Sequence, residues 1–107
     1  MKAIITDLDR TLLRTDKTVS DYTLSILQKC REKGILFMAA SARPVRNIVR
    51  FQDVLSFDAF AASCGAVIVL PDTKMEIGIS PISGEKILEN LLQFPDVFLS
   101  IETSKGL

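Results

Sequence analysis

Hydrophobic and polar positions along the chain follow two repeating patterns. Short, nearly continuous apolar runs predict strands that are buried on both faces, as in parallel sheets. They occur at Lys2–Thr6, Ile35–Ala40 and Asp58–Ala62. Between the first two runs, Leu24 and Leu27 lie at helical spacing within a predicted helix, Asp21–Lys33. Ser20 before this helix and Gly34 after it are residues that favour the two ends of a helix.

Four further elements are predicted in the rest of the chain. They are a helix from Pro44 to about Phe51, a hairpin of Val67–Leu70 and Met75–Ile79, a helix that begins at Ser83 and ends before Pro95, and a strand over Val97–Thr103. Proline suits the first turn of a helix, and the turn residues of Pro71–Lys74 suit a hairpin. In the last helix, Ile87 and Leu91 are expected to face a core.

Strands that alternate with helices in this order are typical of α/β proteins with a parallel sheet and right-handed crossovers. Ligands of such proteins bind at the carboxyl ends of the strands. Asp7 and Asp9 follow the first predicted strand directly, and Ser41 follows the second. These three residues are therefore the first candidates for a functional site.

Composition and charge exclude several classes of protein. The 107 residues, 11.8 kDa, are enough for one small domain. Thirteen Lys and Arg balance thirteen Asp and Glu, which argues against a nucleic-acid partner or a basic membrane-binding surface. No apolar run is long enough to span a membrane, and the acidic residues from position 7 onward do not suit a signal peptide. We expect neither nucleic acid nor membrane as a partner.

The cysteine and histidine content limits the chemistry further. Cys30 and Cys64 have no CxxC spacing and are interpreted as free thiols in a reducing, cytoplasmic location. The chain has no histidine, which excludes triads, general bases and zinc sites that depend on imidazole. The remaining candidates are carboxylates, hydroxyls, Lys, Arg, Cys and a hard cation.

The acidic pair Asp7 and Asp9 can support more than one kind of chemistry. Two carboxylates this close repel each other unless a proton or a cation lies between them. Mg²⁺ is a natural cation for such a pair, because it prefers oxygen ligands. A carboxylate can also act as a nucleophile that accepts a phosphoryl group, while its neighbour transfers protons. Taken alone, the Asp-x-Asp spacing also fits a plain polar loop.

Three motifs together resemble one family. Asp7–Leu13, with the sequence DLDRTLL, resembles the first motif of haloacid-dehalogenase-superfamily phosphatases, Asp-x-Asp-Gly-Thr-Leu. Ala40–Pro44, ASARP, resembles the second motif of their Cof-like branch, usually Ala-Thr-Gly-Arg-Pro. Ser63–Ala66 resembles that branch's Asn-Gly-Ala stretch. The resemblance implies part of a Rossmann-like α/β core for residues 1–80 and the beginning of the family's α/β cap domain for residues 81–107.

The resemblance also implies an activity and a role for each matching residue. We expect a Mg²⁺-dependent phosphatase that hydrolyses a small phosphorylated metabolite through an aspartyl-phosphate. Asp7 would be the nucleophile, and Asp9 would protonate the leaving alcohol and later activate water. The metal would be bound by the carboxylate of Asp7 and the backbone carbonyl of Asp9. The substrate phosphate would be bound by Leu8, Ser41, Ala42 and Arg43.

The chain departs from the family pattern at three positions. Arg10 stands where the family usually has Gly, so the turn would be strained if its φ is positive. Its side chain is expected either to point to solvent or to contact the substrate. Ala42 also replaces a Gly. Cys64 stands at the usual Asn, where a polar contact near the phosphate would be lost.

The family's remaining motifs, a Lys and a second acidic pair, are expected beyond Leu107. We therefore expect the chain to be an N-terminal fragment of a protein more than twice its length, without full activity by itself. In the family's sheet the first strand is central. Because later strands of the family pair with one of its edges, a fragment that ends at Leu107 would leave that edge of Lys2–Thr6 unpaired. We expect such a fragment, if isolated, to be poorly stable, to self-associate through this edge, or to be complemented by its missing half.

Two alternatives to an enzyme stay open at the level of sequence. Signalling receiver domains also use acidic pairs and magnesium on a parallel sheet, but their phosphate-accepting Asp follows the third strand. Here Ser63 and Cys64 occupy that place, and the nearest acid, Asp58, precedes the strand. The second alternative is a catalytically inactive interaction domain, which Arg10 and Cys64 would suit.

Overall fold

The computed structural model describes residues 1–73, 75–78, 82–98 and 101. Within these ranges, five strands form one sheet in the order in which they occur along the chain. They are β1 (Lys2–Thr6), β2 (Ile35–Ala40), β3 (Ala59–Ala62), β4 (Val67–Leu70) and β5 (Met75–Gly78). The pairs β1–β2 and β2–β3 are parallel, and β3–β4 and β4–β5 are antiparallel. The α/β sheet and the hairpin predicted from the sequence are both confirmed.

Helix α1 (Asp21–Glu32) connects β1 to β2. It begins at the predicted residue and ends one residue before the predicted Lys33, which is its C-cap. The Ser20 backbone is extended, and its Oγ accepts a hydrogen bond from the N–H of Thr23 at 3.1 Å. Gly34 follows the C-cap with φ +70°, a backbone conformation that glycine adopts without strain. Leu24 and Leu27 on this helix pack against the buried core, as predicted.

Two short helices, α2 (Val45–Val49) and α3 (Gln52–Leu55), connect β2 to β3. The single helix predicted from Pro44 to Phe51 is therefore wrong at its C-terminal end. The N–H of Phe51 bonds to the carbonyl of Ile48 at 2.9 Å, which tightens the last turn and ends α2. The carbonyl of Phe51 then accepts from Leu55, so that the same residue begins α3. The break allows both Ile48 and Leu55 to be fully buried.

The core lies between the sheet and these helices and contains three aromatic rings. Phe37 stacks on Phe57 with ring centroids 5.3 Å apart, and Phe57 meets Phe60 edge-on at 6.0 Å. Leu8 and Leu13, from the loop after β1, are buried in the same cluster. The core thus holds the loop that carries the first candidate residues.

The sequence predicts that strand β1 is buried on both faces, but the structure leaves most of its residues exposed. It forms one edge of the sheet, and Ile5 is 67% exposed. The apolar run correctly predicts a strand at Lys2–Thr6. Whether a strand is buried depends on the elements that pack against it, which the run itself does not show. Within the part of the chain that the structure describes, no strand pairs with the outer edge of β1. Self-association through that edge stays a prediction.

Helix α4 (Gly84–Gln93) begins after Ser83, as predicted. Ile87 and Leu91 are half-buried, but they line an apolar groove and are not part of the core cluster. Of the strand predicted over Val97–Thr103, residues 97, 98 and 101 are not in a strand, and the others lie outside the described residues. None of the helices in the described ranges is long and apolar enough to cross a membrane.

The N-cap of α1 supports a first prediction. Ser20→Ala removes the acceptor for the N–H of Thr23 and should lower the free energy of unfolding by about 1 kcal/mol. Ser25→Ala is the matched control, because Ser25 is exposed within the same helix and alanine is a better helix former. Denaturant unfolding of both variants gives the comparison. Equal stability of the two variants would contradict the capping role.

Candidate functional site at the carboxyl end of the parallel strands

The register of the parallel strands brings the three sequence motifs to one end of the sheet. Thr6 pairs with Ala39, so Asp7 and Ser41 both lie just beyond the ends of neighbouring strands. On the other side of β2, the N–H of Ser41 bonds to the carbonyl of Ala61 at 3.0 Å. The loops after β1, β2 and β3 therefore meet at this edge, as predicted for ligand sites of parallel sheets.

Buried leucines fix the loop that follows β1. Leu8 and Leu13 are almost completely buried, and the N–H of Leu13 donates to the carbonyl of Leu8 at 2.8 Å. Asp7 and Asp9 flank Leu8 and lie at the surface, with Asp7 exposed and Asp9 half-buried. An apolar anchor between two acids keeps both carboxylates near the end of β1.

The carboxylate of Asp7 is the more accessible of the two. One of its oxygens, Oδ1, accepts the N–H of Leu8 at 2.7 Å. Within the described ranges, Asp7 has no ion-pair partner. An exposed carboxylate without a cationic partner is free to meet an incoming group from solvent.

Asp9 is held by two cations. Arg43 donates from Nε to Oδ2 and from Nη2 to Oδ1, both at 2.7 Å. Lys17 donates from Nζ to Oδ1 at 2.6 Å. Hydrogen bonds from Arg43 and then Lys17 hold the pKa of Asp9 well below its ordinary value of 3.8, and Asp9 in turn raises the pKa of Arg43. Asp9 is therefore ionised at neutral pH in this arrangement.

Lys17 is the site residue that the sequence reasoning missed. It comes eight residues after Asp9, in a turn where no regular spacing predicts a contact. Arg43 was predicted at the site, but as a phosphate ligand; the structure places its guanidinium on Asp9 and over the ring of Phe51, 5.5 Å from the ring centroid.

The loop after β2 carries a nearly buried hydroxyl. Ser41 is 8% exposed, and its Oγ accepts the backbone N–H of Arg43 at 3.1 Å. The N–H of Cys64 donates to the Ser41 carbonyl at 3.2 Å, and the N–H of Ser63 donates to the Arg43 carbonyl at 2.8 Å. The second and third motifs are thus joined directly by backbone hydrogen bonds.

The three departures from the family pattern have different structural consequences. Arg10 has φ +60° and is exposed, so its backbone is strained and its side chain points to solvent in this structure. Cys64 has φ +57°, a region that Asn adopts more readily than Cys. Ala42 is exposed and has no positive φ, so the lack of a glycine there imposes no backbone strain.

A family model described as haloacid dehalogenase-like hydrolase matches residues 4–105. The chain belongs to this family. Its resemblance to haloacid-dehalogenase phosphatases of the Cof-like branch, predicted from the three motifs, is confirmed.

Solved structures of haloacid dehalogenase-like hydrolases have the same fold. One from Bacteroides thetaiotaomicron is 26% identical with a TM-score of 0.74, over 86% of this chain and 37% of that chain. A phosphatase of the haloalkanoate (HAD) enzyme superfamily from the same organism is 25% identical with a TM-score of 0.78, over 90% of this chain and 35% of that one.

A relative with a curated sequence comes from Buchnera aphidicola subsp. Schizaphis graminum and is provisionally named a phosphatase. It is 36% identical over 59 residues, which are 55% of this chain and 22% of that protein. The chain thus matches about a fifth of this relative and just over a third of the two solved hydrolases.

The strained turn at Arg10 leads to a prediction about stability. Arg10→Gly should be about 1 kcal/mol more stable than Arg10→Ala, because only the glycine relieves the left-handed backbone. At Gln28, which is exposed in the middle of α1, Gln28→Ala should instead be more stable than Gln28→Gly, because alanine favours a helix and glycine does not. Thermal unfolding of the four variants measures both differences. The same order at both positions would contradict a strained turn.

The ion pairs of Asp9 predict how stability depends on pH. Because the folded pKa is lowered, the stabilisation is present above the ordinary pKa of 3.8 and is lost as the pH falls through the folded value. The difference in melting temperature between the wild type and Asp9→Asn should therefore shrink on acidification below about pH 4. Asp53→Asn, at an exposed position of α3, is the control. A difference that does not change between neutral and acid pH would argue against the ion pairs.

Proposed function

We propose that the protein is a phosphatase that hydrolyses phosphate monoesters of small metabolites, with Asp7 as the nucleophile. The observation that carries this proposal is the pair of unlike carboxylates at one sheet edge. In the part of the chain that the structure describes, Asp7 is exposed and has no cationic partner, whereas Asp9 is held by Arg43 and Lys17. Two carboxylates with different surroundings are suited to different chemical roles.

The proposed reaction has two steps. An oxygen of Asp7 attacks phosphorus, the bond from phosphorus to the ester oxygen breaks, and Asp9 gives a proton to the leaving alcohol. Water then attacks the aspartyl-phosphate, its proton goes to Asp9, and the bond between phosphorus and Asp7 breaks. Phosphate leaves, Asp7 is again a free carboxylate, and Asp9 again carries the proton that it gives to the leaving alcohol in the first step. Geometry supports these roles because both acids project from one short loop.

The surroundings of Asp9 supply the ionised form that the second step requires, and the same two cations make this carboxylate a weak base. Arg43 and Lys17 favour its ionised form, which is the form that accepts a proton from water. The acid role in the first step requires a proton on Asp9. A phosphoryl group that attracts either cation away from Asp9 favours this protonation, because it removes the interaction that lowers the pKa.

The phosphoryl oxygens would be bound by groups from the two loops. Ser41 has a hydroxyl that accepts one hydrogen bond and can still donate its own proton. The backbone N–H groups of Leu8 and Arg43 donate here to side-chain oxygens, so rotation of those side chains would free them for phosphate. Ala42 would contribute its backbone at the same loop. Oriented donors of this kind stabilise charge during phosphoryl transfer.

Magnesium fits the oxygen atoms that the loop offers. The carboxylate of Asp7 and the backbone carbonyl of Asp9 would hold it, since Mg²⁺ usually keeps several waters and binds one or two carboxylates plus a substrate phosphate. In the described part of the chain, no three Cys, Asp or Glu side chains group together as a complete metal site. When bound, the ion would offset the negative charges of Asp7 and the phosphoryl group.

Two further parts of this proposal concern the arrangement of the whole protein. Residues 1–80 would belong to the core that carries the chemistry, and residues 81–107, with α4, would begin the cap. The free thiols of Cys30 and Cys64 favour a reducing, cytoplasmic location.

A receiver-like function is disfavoured, because it requires an acid after β3, where Ser63 stands.

The central test is hydrolysis of a generic phosphate ester by the whole protein in the presence of Mg²⁺. Asp7→Asn should reduce turnover to background, because an amide cannot act as the nucleophile. Asp21→Asn, in the first turn of α1, should leave turnover near that of the wild type. Beryllium fluoride should bind at Asp7 in the wild type and not in Asp7→Asn. Turnover that survives in Asp7→Asn would remove Asp7 from this role.

A further inference from the structure

The loop that follows Asp9 concentrates positive charge in a chain whose net charge is zero. The segment Arg10–Thr18, called here the cationic loop, contains Arg10, Arg14 and Lys17, and all three side chains are exposed. Its one acid, Asp16, accepts hydrogen bonds from the N–H and hydroxyl of Thr18. The positive charge of this loop is therefore not neutralised by its own sequence.

The backbone around Lys17 is held in place by a closed turn. The N–H of Lys17 donates to the carbonyl of Arg14 at 2.9 Å, and the N–H of Arg14 donates to the carbonyl of Thr18 at 2.9 Å. Lys17 has φ +67° within this turn. Its side chain is 52% exposed. The hydrogen-bonded turn fixes the position of the Lys17 Cα. The exposed side chain leaves its ammonium group room to change rotamer.

The ammonium of Lys17 is a surplus charge at Asp9. Arg43 alone already donates to both carboxylate oxygens of Asp9, and Lys17 shares Oδ1 with it. Within the described ranges, Asp9 is the acid that both cations contact, so one carboxylate faces two positive charges. An ion pair as exposed as that of Lys17 and Asp9 is weak. Lys17 can therefore turn to another anion at little cost.

We propose that Lys17 makes the site selective for phosphate esters whose leaving group carries a second anionic group, a carboxylate or another phosphate. The inference rests on the proposed function, in which Asp9 meets the leaving oxygen. Nζ of Lys17 lies 2.6 Å from Oδ1 of Asp9. The ammonium is then within about 6 Å of that leaving oxygen, if Asp9 is within hydrogen-bond reach of it. A carboxylate or phosphate that is a few bonds from the ester oxygen of the substrate can therefore reach the Lys17 ammonium.

Arg10 and Arg14 support the same preference at longer range. Both line an open cavity of about 440 Å³ whose other walls include the hydroxyl residues Thr11, Thr15, Ser20 and Thr23. Their charges act on the neighbouring site over roughly the Debye length of 10 Å at moderate salt. They raise the local concentration of an anionic substrate without contacting it.

Two matched pairs of substrates test this preference with the whole protein and Mg²⁺. 3-Phosphoglycerate differs from glycerol 3-phosphate by a carboxylate, and fructose 1,6-bisphosphate differs from fructose 6-phosphate by a phosphate. We expect kcat/KM to be about tenfold higher for at least one of the more anionic members, as for one charge-assisted contact. The pair that shows the difference identifies which anion Lys17 prefers.

Variants of Lys17 separate this role from a structural one. Lys17→Met should lower kcat/KM for the preferred, more anionic substrate about tenfold more than kcat/KM for its partner with an uncharged leaving group. Lys17→Arg should keep the preference, because it retains the charge. Lys33→Met, at the exposed C-terminal end of α1, is the matched control and should change neither value.

Binding measurements keep this inference separate from the proposed function. In an Asp7→Asn background, calorimetry should give the more anionic member a dissociation constant about tenfold lower, and Lys17→Met should abolish the difference. Equal binding and equal kcat/KM within both pairs would overturn the inference, as would a preference that survives Lys17→Met. Equal losses for the two members of a pair would also overturn it, because Lys17 would then act only through Asp9. Turnover retained in Asp7→Asn would instead count against the proposed function.

Discussion

The bidentate ion pair between Arg43 and Asp9 joins loops that are 34 residues apart in the sequence. The same arginine donates its N–H to Ser41 and accepts a hydrogen bond from Ser63 through its carbonyl. One residue thus contacts all three loops at the carboxyl end of the parallel strands. This contact orients Asp9, the acid that lies beside the exposed Asp7.

The parallel sheet makes this contact possible. Pairing of β1 with β2, and of β2 with β3, brings the ends of three strands together, and the buried Leu8 and Leu13 fix the first loop against the core. The polar groups then lie on a rigid support. The positive charges beside Asp9 belong to Lys17 and Arg43, which lie in the loops after β1 and β2. The surroundings of Asp9 are therefore positive even though the formal net charge of the whole chain is zero.

Local patterns were sufficient to predict β1 to β5, α1 and the position of Asp7, Asp9 and Ser41 at strand ends, but the strand predicted over Val97–Thr103 is not found at residues 97, 98 and 101. These features depend on apolar periodicity, capping residues and the order of elements, all of which lie within short stretches of sequence. The contact of Lys17 with Asp9, the break before α3 and the exposure of the two faces of β1 could not be predicted in this way. Each depends on which distant residues come together in the folded chain.

The most direct measurement is chemical trapping of the covalent intermediate that Asp7 is proposed to form. The whole protein is quenched in acid during turnover and treated with borohydride, which reduces an aspartyl-phosphate to homoserine. Peptide mass spectrometry then locates the reduced residue. We expect homoserine in place of Asp7 and an unmodified Asp9. Reduction at another residue, or a lack of any reduced residue under conditions of rapid turnover, would contradict the proposed role of Asp7.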